Sequence, residues 1–260
     1  MFKISLPLVV YFLQFEYFFI EGLDLKHLKM AVLAIAKFHA VGLSMKTQMP
    51  SLLNVIEKYA KPMSVDCDPV KKAIEMMLTA VKNDPCLGPY YNRIESTGSL
   101  KDMSRYHMKL KLTDPWACIV HNDFWLNNML FHKDQEGNID NVKIVDFQTY
   151  YTSSPLTDLV FLLCTSMAMP MTIFDEMLEL YRKKVVSILE NLGCNTSMLE
   201  KENFNDRLKI DAVSELYHIL EMVKVVEMRK GESYEKDMPN EYCLKRLRRI
   251  IEIYEEKNWL

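Results

Sequence analysis

The sequence predicts an α+β domain, mainly helical, with a small β insert at its centre. Three observations predict it. Apolar residues recur at three- and four-residue steps over much of 24–82 and again from Pro155 to the carboxyl end. Between them, Cys118–Val120, Met129–His132 and Val142–Phe147 are short runs of strand-forming residues bounded by turn residues. The 260 residues are 49% hydrophobic and 26% charged with a net charge of −3, which is globular composition for one large domain or two small ones.

Residues 1–21 open the chain with an apolar stretch, "MFKISLPLVVYFLQFEYFFI". Gln14 and Glu16 interrupt it, so it falls short of the roughly 20 uninterrupted apolar residues of a membrane span. It is read as strand or interdomain linker, a membrane anchor being the other reading. Asp24 is a suitable N-cap for a helix in which Leu25, Leu28, Val32, Ile35, Ala36 and His39 share one face, and Gly42 is its expected end. His39 on that face reads as a core histidine with its hydrogen bonds satisfied. Shorter helices are expected near 51–60 and 69–82, followed by the irregular stretch "NDPCLGPYYN".

The second and third strands enclose "KDQEGNID", where Gly137-Asn138 supplies a hairpin turn. After the hairpin, Ser154-Pro155 places a cap and a first-turn proline before "LTDLVFLLCTSM". Thr172 with Asp175 resembles a capping box for a helix that Gly193 ends. Helices over about 206–230 and 239–257 complete the chain, with "KRLRR" (245–249) on the solvated side of the last.

The polar residues that break the pattern all border the β insert. His121, Asp123 and Asn128 stand in "IVHNDFWLNNMLF" (119–131), between a strand leading in and one leading out. The hairpin returns the chain to its starting edge, so Asp146, in 142–148, should lie close to Asn128. Two carboxylates and an amide around one cavity suit Mg²⁺, which takes hard oxygen ligands and leaves positions for phosphates. One carboxylate then remains to orient an attacking hydroxyl, as phosphoryl transfer requires. Trp125 lines the substrate cleft or packs as a core indole.

"VHNDFWLNNMLF", "VKIVDFQ" and "SSPLTDLVFLL" together resemble the catalytic core of the protein-kinase-like fold in its small-molecule branch, which includes aminoglycoside and choline kinases. Trp125, the pair Asn127-Asn128 and DFQ in place of DFG are most similar to the ecdysteroid kinase-like (CHK kinase-like) family. "GLDLKHLKMAVLAIAKFHA" (22–40) resembles that family's helix with a phenylalanine–histidine pair. The resemblance implies a C-terminal kinase-like lobe over 22–260, with Asp123 as base and His121 bracing the catalytic loop. It implies Asn128 and Asp146 as the residues that hold Mg²⁺ and ATP, and Asp158 as a buried carboxylate supporting the loop; His39 is expected to be structural support as well. Asn122 replaces a usual glycine; if that position needs positive φ, asparagine is the least costly substitute. The implied activity is transfer from ATP to a small-molecule alcohol, a steroid alcohol such as an ecdysteroid among the candidates.

A kinase-type site also uses a glycine-rich loop and a strand lysine. The chain has seven glycines, the first being Gly22, and Lys3 is the only lysine before Lys26. The nucleotide-binding lobe is therefore expected to be absent from this sequence and turnover impaired, with a non-catalytic ligand- or partner-binding role as the alternative. Near-neutral charge gives no case for nucleic acid as a partner. Six scattered cysteines without a CxxC pair point to reduced thiols and a cytoplasmic location. Nothing in the sequence fixes an oligomeric state.

Overall fold

The structure is a computed structural model that describes residues 22–61, 67–98, 109–166 and 171–260; the apolar segment 1–21 lies outside the described residues. Helix α1 (Leu25–Gln48) is capped by Asp24, whose Oδ1 accepts the His27 amide at 2.9 Å. It is long and apolar enough to cross a membrane, yet most of its apolar stretch is buried inside the protein, as a core helix requires. Gly42 does not end it. A Cβ there would stand 2.7 Å from Cys118 Sγ, so the glycine permits close packing against the β insert while the helix runs on. Pro50 then opens α2 (Pro50–Lys58), and α3 (Asp68–Asn83) follows. The expected irregular stretch is partly ordered, as a 3₁₀ turn at Gly88–Tyr90 and a short α4 (Tyr91–Ser96).

The β insert is two antiparallel pairs. Strand β1 (Cys118–Val120) pairs with β4 (Tyr151–Ser153), and β2 (Met129–Lys133) pairs with β3 (Ile139–Ile144). The third strand starts earlier than the sequence suggests, and it also ends earlier, because Asp146 adopts a left-handed conformation (φ 65°) that no strand can continue through. Gly137 makes the hairpin turn with φ 81°.

All twelve residues of α5 (Pro155–Ser166) are buried, which makes it the axis of the core. Helix α7 (Lys201–Glu227) packs along it and α1 touches it, while α6 (Met171–Asn191) packs on α1 and α8 (Glu241–Glu256) on α7. Thr172 is inside α6 rather than capping it, and Asp175 pairs with Lys257 instead. Gly193, with φ 67°, ends α6, and the Cys194 amide folds back to the Leu189 carbonyl at 2.9 Å. Asn240 caps α8 through the amides of Tyr242 and Cys243. "KRLRR" is not simply a solvated face. Leu247 is buried, Arg246 pairs with Glu227, and Arg248 joins Asp84 to Glu241.

Candidate active site

Strand β1 ends at Val120, and the next residues turn sharply because Asn122 has φ 67°. Both of their amides are gripped by one carboxylate. Asp158 Oδ2 accepts His121 N at 2.6 Å and Oδ1 accepts Asn122 N at 2.8 Å. Asp158 is 1% exposed on α5, and its Oδ2 also takes His39 Nε2 at 3.0 Å. Burial pushes this carboxyl up, but the His39 hydrogen bond, the proximity of the His39 and His121 imidazoles and the His121 amide outweigh it and hold it below its ordinary value.

His121 faces inward. Its Nε2 donates to the Val145 carbonyl at 2.8 Å, so its Nδ1 is left to accept the Asp123 amide at 3.3 Å. The ring lies 4.7 Å from Phe147 and 5.8 Å from Phe124 between centroids. One imidazole thus ties the loop after β1 to the end of β3.

The 3₁₀ turn Leu126–Asn128 then brings Asn128 back beneath Asp123. Asn128 Nδ2 donates to Asp123 Oδ2 at 2.8 Å and to the Asp123 carbonyl at 2.7 Å. The amide of Val145 donates to the Asn128 carbonyl at 3.0 Å, so Asp146 follows immediately after a residue pinned to Asn128. Burial raises the Asp123 carboxyl above the ordinary aspartate value; Asn128, His218 and His121 act against the rise and Asp146 adds to it. Asp146 itself is exposed, with Gln148 Nε2 at 3.4 Å from its Oδ2.

The candidate residues therefore divide into two groups. Asp123 and Asn128 are hydrogen-bonded to each other, and the exposed Asp146 follows a residue pinned to Asn128 and acts electrostatically on Asp123. His121, Asp158 and His39 lie buried behind them. Trp125 is half-buried against the core and, with Gly22, Leu126 and Arg246, borders a shallow groove. Two neighbours were not anticipated. His218 on α7 stacks on Phe161 (centroids 4.1 Å apart) with Nδ1 3.0 Å from Glu215 Oε2, and its charge acts on Asp123. Tyr181 on α6 meets His39 Nδ1 at 2.8 Å. The sequence misleads about His218, since Asp211, Glu215 and His218 recur at helical spacing and read as a solvated face, whereas the structure buries all three. Nothing marks Tyr181 in the sequence.

A helical lobe holding a His-x-Asp-x-x-x-x-Asn loop opposite a left-handed Asp-Phe-Gln turn defines the class of kinase-like proteins. Residues 19–194, about two-thirds of the chain, match the model of the Ecdysteroid kinase-like family. The chain belongs to that family, and its mainly helical α+β architecture is that of a kinase-like C-terminal lobe. The family is one of small-molecule kinase-like phosphotransferases. No curated protein and no solved structure shows significant similarity to the chain.

Proposed function

We propose that this chain carries the catalytic lobe of an ATP-dependent phosphotransferase whose acceptor is the hydroxyl of a small, apolar molecule, a steroid alcohol first among them. The observation that supports this reading best is the 2.8 Å hydrogen bond from Asn128 Nδ2 to Asp123 Oδ2. It fixes the carboxylate and leaves its other oxygen without a donor among the described residues. In this reading Asp123 orients the attacking hydroxyl and takes its proton. The acceptor oxygen bonds to the γ-phosphorus as the bond to the bridging oxygen breaks, and ADP leaves with that electron pair. His121 keeps the loop in register.

The donor set fits Mg²⁺. Because Asn128 spends its N–H₂ on Asp123, its amide oxygen is the atom left over, and the exposed Asp146 carboxylate adds a second hard ligand. When bound, Mg²⁺ neutralises phosphate charge. A cytoplasmic location belongs to the same reading, supported by six free cysteines.

The test is titration of the purified chain with ATP and Mg²⁺ by thermal shift, followed by ADP release in the presence of a panel of alcohols. Asp123→Asn is expected to keep the Mg·ATP shift and to lose turnover, whereas Asp146→Asn weakens the shift itself. With a related nucleotide-binding lobe added so that wild type turns over measurably, equal turnover in Asp123→Asn would reject the assignment of the base. A second reading is a ligand- or partner-binding lobe without turnover. Binding of alcohols with no nucleotide-dependent shift would select it.

A further inference from the structure

We propose that Tyr181 is a positioning residue for the loop at 121–128: by donating its hydroxyl hydrogen to His39 Nδ1, it holds that imidazole as the Nε2–H donor that Asp158 needs while gripping the loop backbone. The inference deepens the reading of 121–128 as a catalytic loop and rests on it for its functional meaning.

Three helices meet in one buried line. Tyr181 on α6 stands 2.8 Å from His39 Nδ1, and His39 on α1 stands 3.0 Å from Asp158 Oδ2. Asp158 on α5 reaches the amides of His121 and Asn122 at 2.6 and 2.8 Å. Tyr181 and His39 are fully buried and Asp158 is 1% exposed. An ionised carboxylate can only accept, so all three groups aimed at Asp158 must be donors, and His39 must carry hydrogen on Nε2. Its Nδ1 is then an acceptor sealed away from water. Such an atom is costly without a partner, and the Tyr181 hydroxyl faces it.

The tyrosine is suited to that duty. Burial, followed by the neighbouring Cys118, Asp158 and Asp211 charges, pushes its hydroxyl well above the ordinary phenol value, so it stays a donor. Its ring meets the His39 ring edge-on at 5.8 Å and lies 6.5 Å from Phe204. A phenylalanine would fill the same space, so packing alone does not call for the hydroxyl. Removing it leaves Nδ1 unpaired, and the imidazole regains reason to turn or to protonate. Either change weakens the hold of Asp158 on the two amides from which Asp123 is suspended.

The first measurement needs no variant. In the nitrogen NMR spectrum of the full chain with labelled histidine, His39 should carry hydrogen on Nε2 and a hydrogen-bonded lone pair on Nδ1. Hydrogen on Nδ1, in either charge state, would overturn the proposal. The second compares amide exchange in Tyr181→Phe. Exchange at His121 and Asn122 should accelerate about tenfold, the size expected for one lost buried hydrogen bond, while Phe131 and Val142 in the hairpin keep their rates. A fluorotyrosine at 181, which retains the hydroxyl, should restore slow exchange. Unchanged rates at 121 and 122, or equal acceleration everywhere, would refute a positioning role. A failure of ATP binding would remove the proposed reaction yet leave all of these readouts as expected.

Discussion

Asp158→Asn is the most informative single perturbation of the lobe, because it changes one atom at the point where three elements are tied. The carboxylate accepts from His121 N, Asn122 N and His39 Nε2. An asparagine offers one acceptor and one donor group. Its least costly orientation puts the amide oxygen where Oδ2 was, keeping His121 and His39, and turns the N–H₂ toward the Asn122 amide. One buried donor is then orphaned at about 1–3 kcal/mol, and two charge-assisted bonds become neutral ones at about 0.5–1 kcal/mol each. The expected loss is about 2–5 kcal/mol of unfolding free energy, read by denaturant titration of the full chain at fixed pH. Asp158→Ala orphans all three donors and should cost at least as much. An Asp158→Asn chain within about 0.5 kcal/mol of wild type would refute the clamp, since a side chain this buried cannot recruit water to replace what it lost.

Three further outcomes follow from other particulars. Asn122→Gly should raise stability by about 1 kcal/mol, visible as a higher Tm, because it relieves the positive φ and removes a buried Nδ2 that has no partner; a lower Tm would show that the asparagine side chain contributes more than it costs. Gly42→Ala should destabilise by about 1–3 kcal/mol although alanine is the better helix former, and Cys118→Ala in the same chain should recover most of the loss, since the clash is with Cys118 Sγ; additive effects would place the strain elsewhere. Burial raises the Asp211 carboxyl to about 6 against the pull of Arg207 and Ser154, so the folded chain binds more protons there than the unfolded chain between about pH 4 and 6. Wild type should therefore lose stability relative to Asp211→Asn as pH rises through that window, by roughly 3 kcal/mol in total, and run parallel to it above; a difference that stays flat from pH 4 to 7 would contradict the assignment.

What the sequence disclosed, and what it withheld, follows the range over which each interaction acts. The hairpin was legible because Gly137 sits in its own turn and the apolar runs flank it directly. Asn122 was legible for the same local reason: a residue in the left-handed region is constrained by its own backbone, and asparagine tolerates it. Strand β4 was not legible, since Tyr-Thr-Ser carries no alternation and becomes a strand only by lying beside Cys118–Val120. Asp146 was placed near Asn128 by hairpin geometry, but its left-handed backbone was not expected, and that turn is what ends β3 two residues before it.

The buried charges of α7 expose a limit of periodicity itself. Amphipathic reasoning assigns Arg207, Asp211, Glu215 and His218 to the solvated face, yet all four are buried. Each is tolerated because a partner meets it inside: Arg207 with Asp211, Asp211 with Ser154, Glu215 with His218. The partners come from the same helix or from the segment that opens α5, so the polar line does structural work at the base of the helix that carries Asp158. The same logic governs Tyr181 and His39, 142 positions apart in the chain and 2.8 Å apart in space. A pattern read along one helix registers the polarity of a side chain but not the identity of what faces it. The residues that brace a catalytic loop from behind are therefore the ones a sequence conceals best, even when the loop itself is the plainest feature of the chain.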